Sequence, residues 1–172
     1  MDASEVLDDA FARMPRLVRA AVEGLDVDAL TWRPDADANS IGWLVWHLTR
    51  VQDDHVADLA DGEQIWHTDG WAARFGLAEG TTDIGFGHTP EEVAAVRPDG
   101  ADVLTEYFDR VTRRTVEFLA TIDQTDLDRI VDAAWDPPVT MGVRLVSVLG
   151  DCMQHIGQAA YLRGVYERTV QR

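Results

Sequence analysis

The sequence predicts an all-α fold, a four-helix bundle with a long crossover between its second and third helices. Four segments repeat apolar side chains at helical spacing, whereas no two segments make a convincing pair of strands. A chain of 172 residues with 46% apolar residues can form a hydrophobic core without disulfide support. We therefore expect one helical domain over residues 1–172.

The first two long helices are predicted from apolar residues that recur every three or four positions. The first covers about residues 4–23, and the second covers about residues 41–59. Asn39 or Ser40 is suited to cap the N-terminus of the second helix. Residues 25–39, between the two helices, are interpreted as a connection.

The second half of the bundle follows a long irregular segment. Residues 60–100 are rich in Gly, Thr, Asp and Trp and are predicted to form the crossover. Thr89 and Pro90 supply a cap and a first-turn proline, which predicts a short helix after Pro90. The third long helix is predicted over about residues 102–121, and the fourth begins near Met141.

Composition limits the classes of partner. The formal net charge is −16, from 31 acidic and 15 basic residues, and all the basic residues are arginines. Nucleic acids and anionic membranes are therefore not expected as partners, because both require a basic surface. The one cysteine excludes an intrachain disulfide, and no secretory signal or membrane-length apolar run is visible. We expect a soluble, cytoplasmic protein.

Asp151 and His155 form the most informative pair of residues in the sequence. Asp151 is the only formally charged side chain within the apolar residues 145–162, which are predicted to form a helix buried on most of its circumference. Positions four apart share one face of a helix, so the two side chains point the same way. A divalent metal ion would satisfy both groups. The alternative is an ion pair on a helix face, which contributes only a few tenths of a kcal/mol.

His47 is the predicted third ligand, because it lies in an aromatic and aliphatic run of the second helix. The alternative is a core histidine satisfied by one hydrogen bond. Two histidines and one carboxylate with open coordination positions suit catalytic zinc, and also iron or nickel. The predicted metal site is therefore His47, Asp151 and His155, with zinc as the first choice of metal.

Several neighbours are candidates for the surroundings of this site. Gln158 and Ser147, one turn from His155 and from Asp151, could orient the ligands. Trp43, on the helix of His47, is a candidate for the pocket wall. Cys152 is rotated about 100° from Asp151 and is expected to pack as a small apolar residue.

The remaining histidines are weaker candidates. His55, two turns after His47, could line the same cavity, but the aspartates around it favour a solvated position. His67 and His88 lie in the crossover and are expected to be exposed, although either could reach the site from a lid. Trp66 and Trp71, also in the crossover, could shape a substrate pocket.

Two motifs resemble the DinB-like superfamily. One is Asn-Ser-Ile-Gly-Trp-Leu-Val-Trp-His-Leu at the start of the second helix, and the other is Asp-x-x-x-His-Ile-Gly-Gln-Ala on the last. The resemblance covers nearly the whole chain and implies a bundle of DinB type. It also implies that His47 joins two ligands spaced by four, here Asp151 and His155. Ile156 stands where the family's motif usually has arginine.

The resemblance also indicates a branch of the superfamily. Asp151 falls where many members have histidine and where the mycothiol-dependent maleylpyruvate isomerase branch has glutamate. A carboxylate there is consistent with the branch that uses a thiol. The all-arginine composition indicates a GC-rich actinobacterial source, in which mycothiol would be the expected thiol. Members often form dimers, so a homodimer is possible.

The resemblance and the predicted site together lead to a functional expectation. We expect a metal-dependent thiol S-transferase or isomerase that acts on a small electrophilic molecule. The alternatives are a metal-dependent hydrolase and a non-catalytic, stress-related protein that binds a metal or ligand. A purely structural role, in which Asp151 and His155 pair with each other, is the remaining possibility.

Overall fold

Four long helices dominate the structure, a computed structural model that describes residues 2–170. They are α1 (Ala3–Val22), α3 (Ile41–Leu59), α6 (Ala101–Leu119) and α7 (Met141–Thr169). Shorter elements lie between them: α2 (Val27–Thr31), α4 (Ile65–Thr68), α5 (Pro90–Ala95), two 3-10 turns (Ala72–Phe75 and Asp126–Asp128) and strands β1 (Ile130–Asp132) and β2 (Val139–Thr140). The predicted boundaries of the long helices are correct to within two residues.

The long helices form a ring in which each packs on two neighbours. α3 packs on α7 and α6, and α1 packs on the same two helices from the opposite side. Apolar side chains at helical spacing, such as Phe11, Leu48, Phe108 and Leu145, are buried between them. The predicted four-helix bundle is confirmed, as is the long crossover between its second and third helices.

Local capping explains where two of these helices begin. The Ser40 side chain accepts a hydrogen bond from the backbone N–H of Trp43 and starts α3, so Ser40 is the cap among the two predicted candidates. Thr89 caps α5 and exchanges hydrogen bonds with Glu92, which confirms the short helix after Pro90.

The structure adds elements that the sequence analysis did not predict. The connection over residues 25–39 contains the single-turn helix α2, capped by Asp26. β1 and β2 form a small antiparallel hairpin before α7, which the sequence analysis did not predict and which leaves the all-α class unchanged. These strands have three and two residues, too few to show an alternating pattern.

α7 is buried on one face only, which corrects the prediction of a helix buried on most of its circumference. Its buried residues recur every three or four positions and include Leu145, Cys152 and Ile156. Large apolar side chains on the opposite face are exposed, namely Val143, Val146, Met153 and Tyr161. A lack of charged residues does not imply burial, because much of any protein surface is apolar.

A buried ionic cluster anchors the crossover to α3. Asp53 accepts hydrogen bonds from the backbone N–H groups of Ile65 (2.9 Å) and Trp66 (2.7 Å) and from the hydroxyl of Tyr107 (2.8 Å). The Arg50 guanidinium lies 3.8 Å from Asp53, and neither side chain is more than 1% exposed. Asp53 therefore does not mark a solvated end of the helix, because the crossover covers it.

No helix among residues 2–170 is both long and apolar enough to cross a membrane.

Candidate metal centre

Three predicted ligands converge where α3 faces α7. His47 comes from α3, whereas Asp151 and His155 lie one turn apart on α7. One ligand atom from each residue lies within 4.8 Å of the other two. The spacing of four therefore places the carboxylate and the imidazole together, and helix packing supplies the second histidine. A metal ion could be held by all three.

The His47 ring is fixed by the crossover. Its Nδ1 is hydrogen-bonded to the backbone carbonyl of Ile84, and a carbonyl only accepts, so Nδ1 carries the proton. The Nε2 lone pair is therefore left for a metal ion. Burial lowers the pKa of His47, although the Ile84 carbonyl opposes this shift and the nearby His155 adds to it. The ring thus stays neutral, as a metal ligand must be.

The His155 ring is oriented from its own helix. Nδ1 donates to the side-chain oxygen of Gln158 (2.9 Å), and Nε2 faces Asp151 at 3.5 Å. The Asp151 carboxylate raises the pKa of His155 against the effect of burial, and Gln158 adds to the increase. Gln158 therefore lies where the sequence analysis placed an orienting partner.

Asp151 provides the strongest sign that the cluster fits a cation. Its side chain is 33% exposed, but its Oδ2 atom is buried and has no hydrogen-bond partner among residues 2–170. A buried carboxylate oxygen without a partner is unfavourable unless a cation or proton satisfies it. Oxygen and two imidazole nitrogens are also a ligand set that divalent transition metals accept.

An aromatic network supports the ligands from the side of α3. The Trp43 ring stacks on His47 (centroids 4.7 Å apart, 13° between planes) and meets His155 edge-on. The Trp43 indole N–H donates to Nδ1 of His88 (3.0 Å), so Nε2 of His88 carries the proton and donates to Asp83 (2.8 Å). A chain of hydrogen bonds from Asp83 through His88 thus fixes the Trp43 ring, which stacks on His47.

Close approach of the crossover to His47 requires glycine at position 85. Gly85 has a φ of +94°, and a Cβ atom there would lie 2.8 Å from His47 Nδ1 and 2.9 Å from the Trp46 ring. Asp83 also accepts a hydrogen bond from the Gly85 N–H (2.8 Å). The turn is therefore shaped to bring the Ile84 carbonyl onto His47.

A cavity of about 430 Å³ opens beside the cluster. His47 and Asp151 line it, and Val51, Val148, Ile84 and Phe86 supply apolar walls. The Phe86 side chain is 90% exposed and stands at the rim. The cavity can take a small, largely apolar molecule next to the ligand atoms.

The other predicted residues divide between the cavity and the core. Ser147 and His55 line the cavity, and the His55 side chain is 29% exposed, so it is partly buried and not at a fully solvated position. Cys152 is fully buried, as expected, and its pKa is raised by burial. Trp66 and Trp71 are core residues and do not line this cavity.

The crossover supplies the residues that the sequence analysis missed. His67 is exposed, as expected, but the His88 side chain is only 8% exposed and packs on Trp46. Ile84, Gly85 and Phe86 were not considered as parts of the site. The glycine pair that flanks Phe86 was the one available sign, because such a turn can bring backbone close to other groups.

Comparisons with known proteins agree with this architecture. Residues 10–159 match the family model described as "DinB superfamily". A crystal structure described as a conserved protein of locus from Enterococcus faecalis is similar over 100% of this chain and 99% of that chain, with 28% sequence identity and a TM-score of 0.88. No curated protein matched the sequence. The resemblance stated above is confirmed for the superfamily, and the branch remains a prediction.

Proposed function

This chain belongs to the DinB superfamily, and from that premise we propose that it is a divalent-metal-dependent enzyme. The proposed reaction joins a low-molecular-weight thiol to a small electrophilic molecule, or isomerises that molecule with the help of the thiol. Mycothiol is the proposed thiol. Zinc is the proposed metal, with nickel and iron as alternatives, because all three accept imidazole nitrogen and carboxylate oxygen.

One observation carries the proposal: three ligand atoms from facing helices converge beside an apolar cavity that His47 and Asp151 line. The ligand atoms lie within 4.8 Å of one another, and Asp151 Oδ2 has no partner within the described part of the chain. A structural zinc site normally closes with four protein ligands, whereas three ligands leave a position for a small molecule. The adjoining cavity favours a site that acts on such a molecule over a purely structural pair.

Each residue of the site has a separate task. His47, Asp151 and His155 would hold the metal, and a bound divalent metal deprotonates a coordinated thiol at neutral pH. Ile84 and Gln158 keep the two imidazoles in the tautomer that leaves Nε2 unprotonated. The apolar wall, including Val51 and Val148, would bind the body of the substrate and exclude water.

Metal analysis of protein made without a polyhistidine tag tests the first half of the proposal. We expect about one divalent metal ion per chain in the wild type, because the cluster offers one set of three ligands. His47→Ala and Asp151→Asn should lose the metal while keeping the helical circular-dichroism spectrum. His67→Ala is the matched control, because it removes an exposed histidine of the crossover. Wild-type protein that takes up no zinc, nickel or iron would overturn the proposal.

Turnover by the metal-loaded protein tests the second half. We expect consumption of small electrophiles that depends on both the metal and mycothiol, measured as loss of free thiol or as formation of the isomer. Turnover of esters or amides without thiol would instead indicate a metal-dependent hydrolase. Metal binding without turnover of any of these substrates would contradict the catalytic proposal and favour a binding protein.

A further inference from the structure

A second polar group lies in the cavity beyond the metal ligands. His55 is two helical turns after His47 on α3, which corresponds to about 12 Å of helix rise. Both histidines line the same cavity, and Val51 lies between them on the same face of the helix. A molecule that fills the cavity can therefore contact the metal cluster at one end and His55 at the other.

His55 is held by Arg144, which is held in turn by Asp132, so that the contact joins three elements. Arg144 of α7 lies with Nη1 3.2 Å from His55 Nδ1, and its Nη2 donates to Asp132 of β1 at 3.3 Å. The Arg144 side chain is 17% exposed. Asp132 therefore fixes the guanidinium, and the guanidinium fixes the imidazole.

This arrangement determines which nitrogen of His55 carries the proton. An arginine side chain stays protonated and only donates hydrogen bonds, so His55 Nδ1 accepts in its 3.2 Å contact with Arg144. The Asp54 carboxylate lies 3.8 Å from the same Nδ1, which is beyond hydrogen-bond distance. The proton of the neutral ring then resides on Nε2. Burial lowers the pKa of His55, and the Arg144 charge lowers it further. Nearby Asp54 and Asp58 oppose this shift without reversing it, so the ring stays neutral. Nε2 of His55 makes no hydrogen bond within residues 2–170, so its N–H is free for a bound molecule.

We propose that His55 is a substrate-binding residue that donates its Nε2–H to a carbonyl oxygen of the small molecule in the cavity. This inference rests on the proposed function and specifies its substrate class, an electrophile with an apolar body and a carbonyl group. Asp151 lines the cavity, the charges of Asp54 and Asp58 act on His55, and Asp132 pairs with Arg144, the cation in contact with His55. The surplus of negative charge favours an uncharged ketone or ester over a carboxylate.

The tautomer can be tested without metal or substrate. Long-range proton–nitrogen NMR spectra of the metal-free protein should show His55 neutral, with the proton on Nε2. Arg144→Met removes the donor to Nδ1, and the tautomer should then become mixed. Observation of the Nδ1–H form in the wild type would overturn the role of His55 and leave the metal proposal untouched.

Binding of matched thiols to cobalt-loaded protein tests the carbonyl contact. The probes are ω-mercapto methyl ketones of increasing length and unbranched alkanethiols of equal length, followed by the thiolate-to-cobalt absorption band. We expect the best ketone to bind about three- to tenfold more tightly than its alkanethiol, the range of one net hydrogen bond. The corresponding ω-mercapto carboxylate should bind less tightly than the ketone.

Variants at position 55 test whether His55 causes the preference for the ketone over the alkanethiol. His55→Phe should lose the preference for the ketone over the alkanethiol of equal length, because phenylalanine has no N–H to donate. His55→Gln keeps an N–H donor and should retain part of the preference for the ketone. His67→Phe changes an exposed histidine, is the control, and should retain the whole preference. Equal affinity of the wild type for ketone and alkanethiol would overturn only the role of His55. Absence of the band with every thiol would overturn the proposed function, and the inference with it.

Discussion

At the scale of single residues, the site depends on which nitrogen of each histidine carries a proton. His47 and His155 both donate from Nδ1, to a backbone carbonyl and to Gln158, which leaves Nε2 of each neutral ring unprotonated, and Nε2 of His155 faces Asp151. These donor contacts come from different parts of the chain, the crossover and α7. The ligand set is therefore oriented before any metal arrives, which reduces the free energy needed to order it.

Protons should compete with the metal ion for Nε2 of His155. The Asp151 carboxylate raises the pKa of His155 in the metal-free protein, so its imidazole is protonated at a higher pH than an ordinary histidine. As the pH falls through this raised pKa, Nε2 gains a proton and metal affinity should fall by about tenfold per pH unit. In NMR titrations of metal-free protein, Asp151→Asn should lower the pKa of His155. An unchanged pKa would contradict the assigned contact.

Gly85→Ala should weaken metal binding, whereas Gly87→Ala should not. Both glycines have positive φ angles, so either substitution should cost about 1 kcal/mol of folding free energy. Only at position 85 would the new Cβ contact His47, because nothing lies within 4 Å of one at position 87. We expect a loss in zinc affinity of about tenfold or more for Gly85→Ala alone, as when an orienting partner is removed. Equal affinities by competition titration would contradict this role of the turn.

At the scale of elements, the crossover covers the site because two buried charged side chains of α3 form hydrogen bonds with its backbone. Arg50 donates to the backbone carbonyls of Thr82 and Asp83 (both 3.2 Å), directly before the Ile84 carbonyl that binds His47. Asp53 holds the start of α4 at the other end of the same segment. The ionic cluster therefore positions the site as well as the fold.

Asp53→Asn should destabilise the fold strongly. It removes the charge that faces the fully buried Arg50, and loss of one partner of a buried ion pair costs about 3–5 kcal/mol. The measurement is the free energy of unfolding from urea denaturation. Asp58→Asn, on an exposed position of the same helix, is the control and should change stability by less than about 0.5 kcal/mol. A small effect of Asp53→Asn would show that the pair is dispensable.

At the scale of the whole molecule, the ligands come from two helices that pack against each other. α3 contributes one ligand and α7 contributes two, so a bound metal would join the second and fourth long helices of the bundle. The unfolded chain lacks this arrangement, and metal binding therefore favours the folded state. The hydrophobic core extends through all four long helices, so the fold itself should not require the metal.

Zinc should raise the melting temperature of the wild type. With free zinc at a hundred times the dissociation constant, the gain is about 2.7 kcal/mol. For a domain of this size, that gain corresponds to about 5–10 °C. His47→Ala should melt at the same temperature with zinc or with chelator, whereas His67→Ala should respond as the wild type does. An equal response of His47→Ala would place the bound zinc elsewhere.

Local patterns in the sequence were enough to predict the four long helices, a cap at Asn39 or Ser40 and the shared face of Asp151 and His155. These features depend on residues a few positions apart, and local spacing and capping decide them. Only the packing of the elements determines which polar groups are buried and which groups from other elements form hydrogen bonds with them. The Ile84 carbonyl lies 37 positions from His47, and Arg144 lies 89 positions from His55. Desolvation of a polar group depends on partners from other elements, and no local pattern encodes those partners.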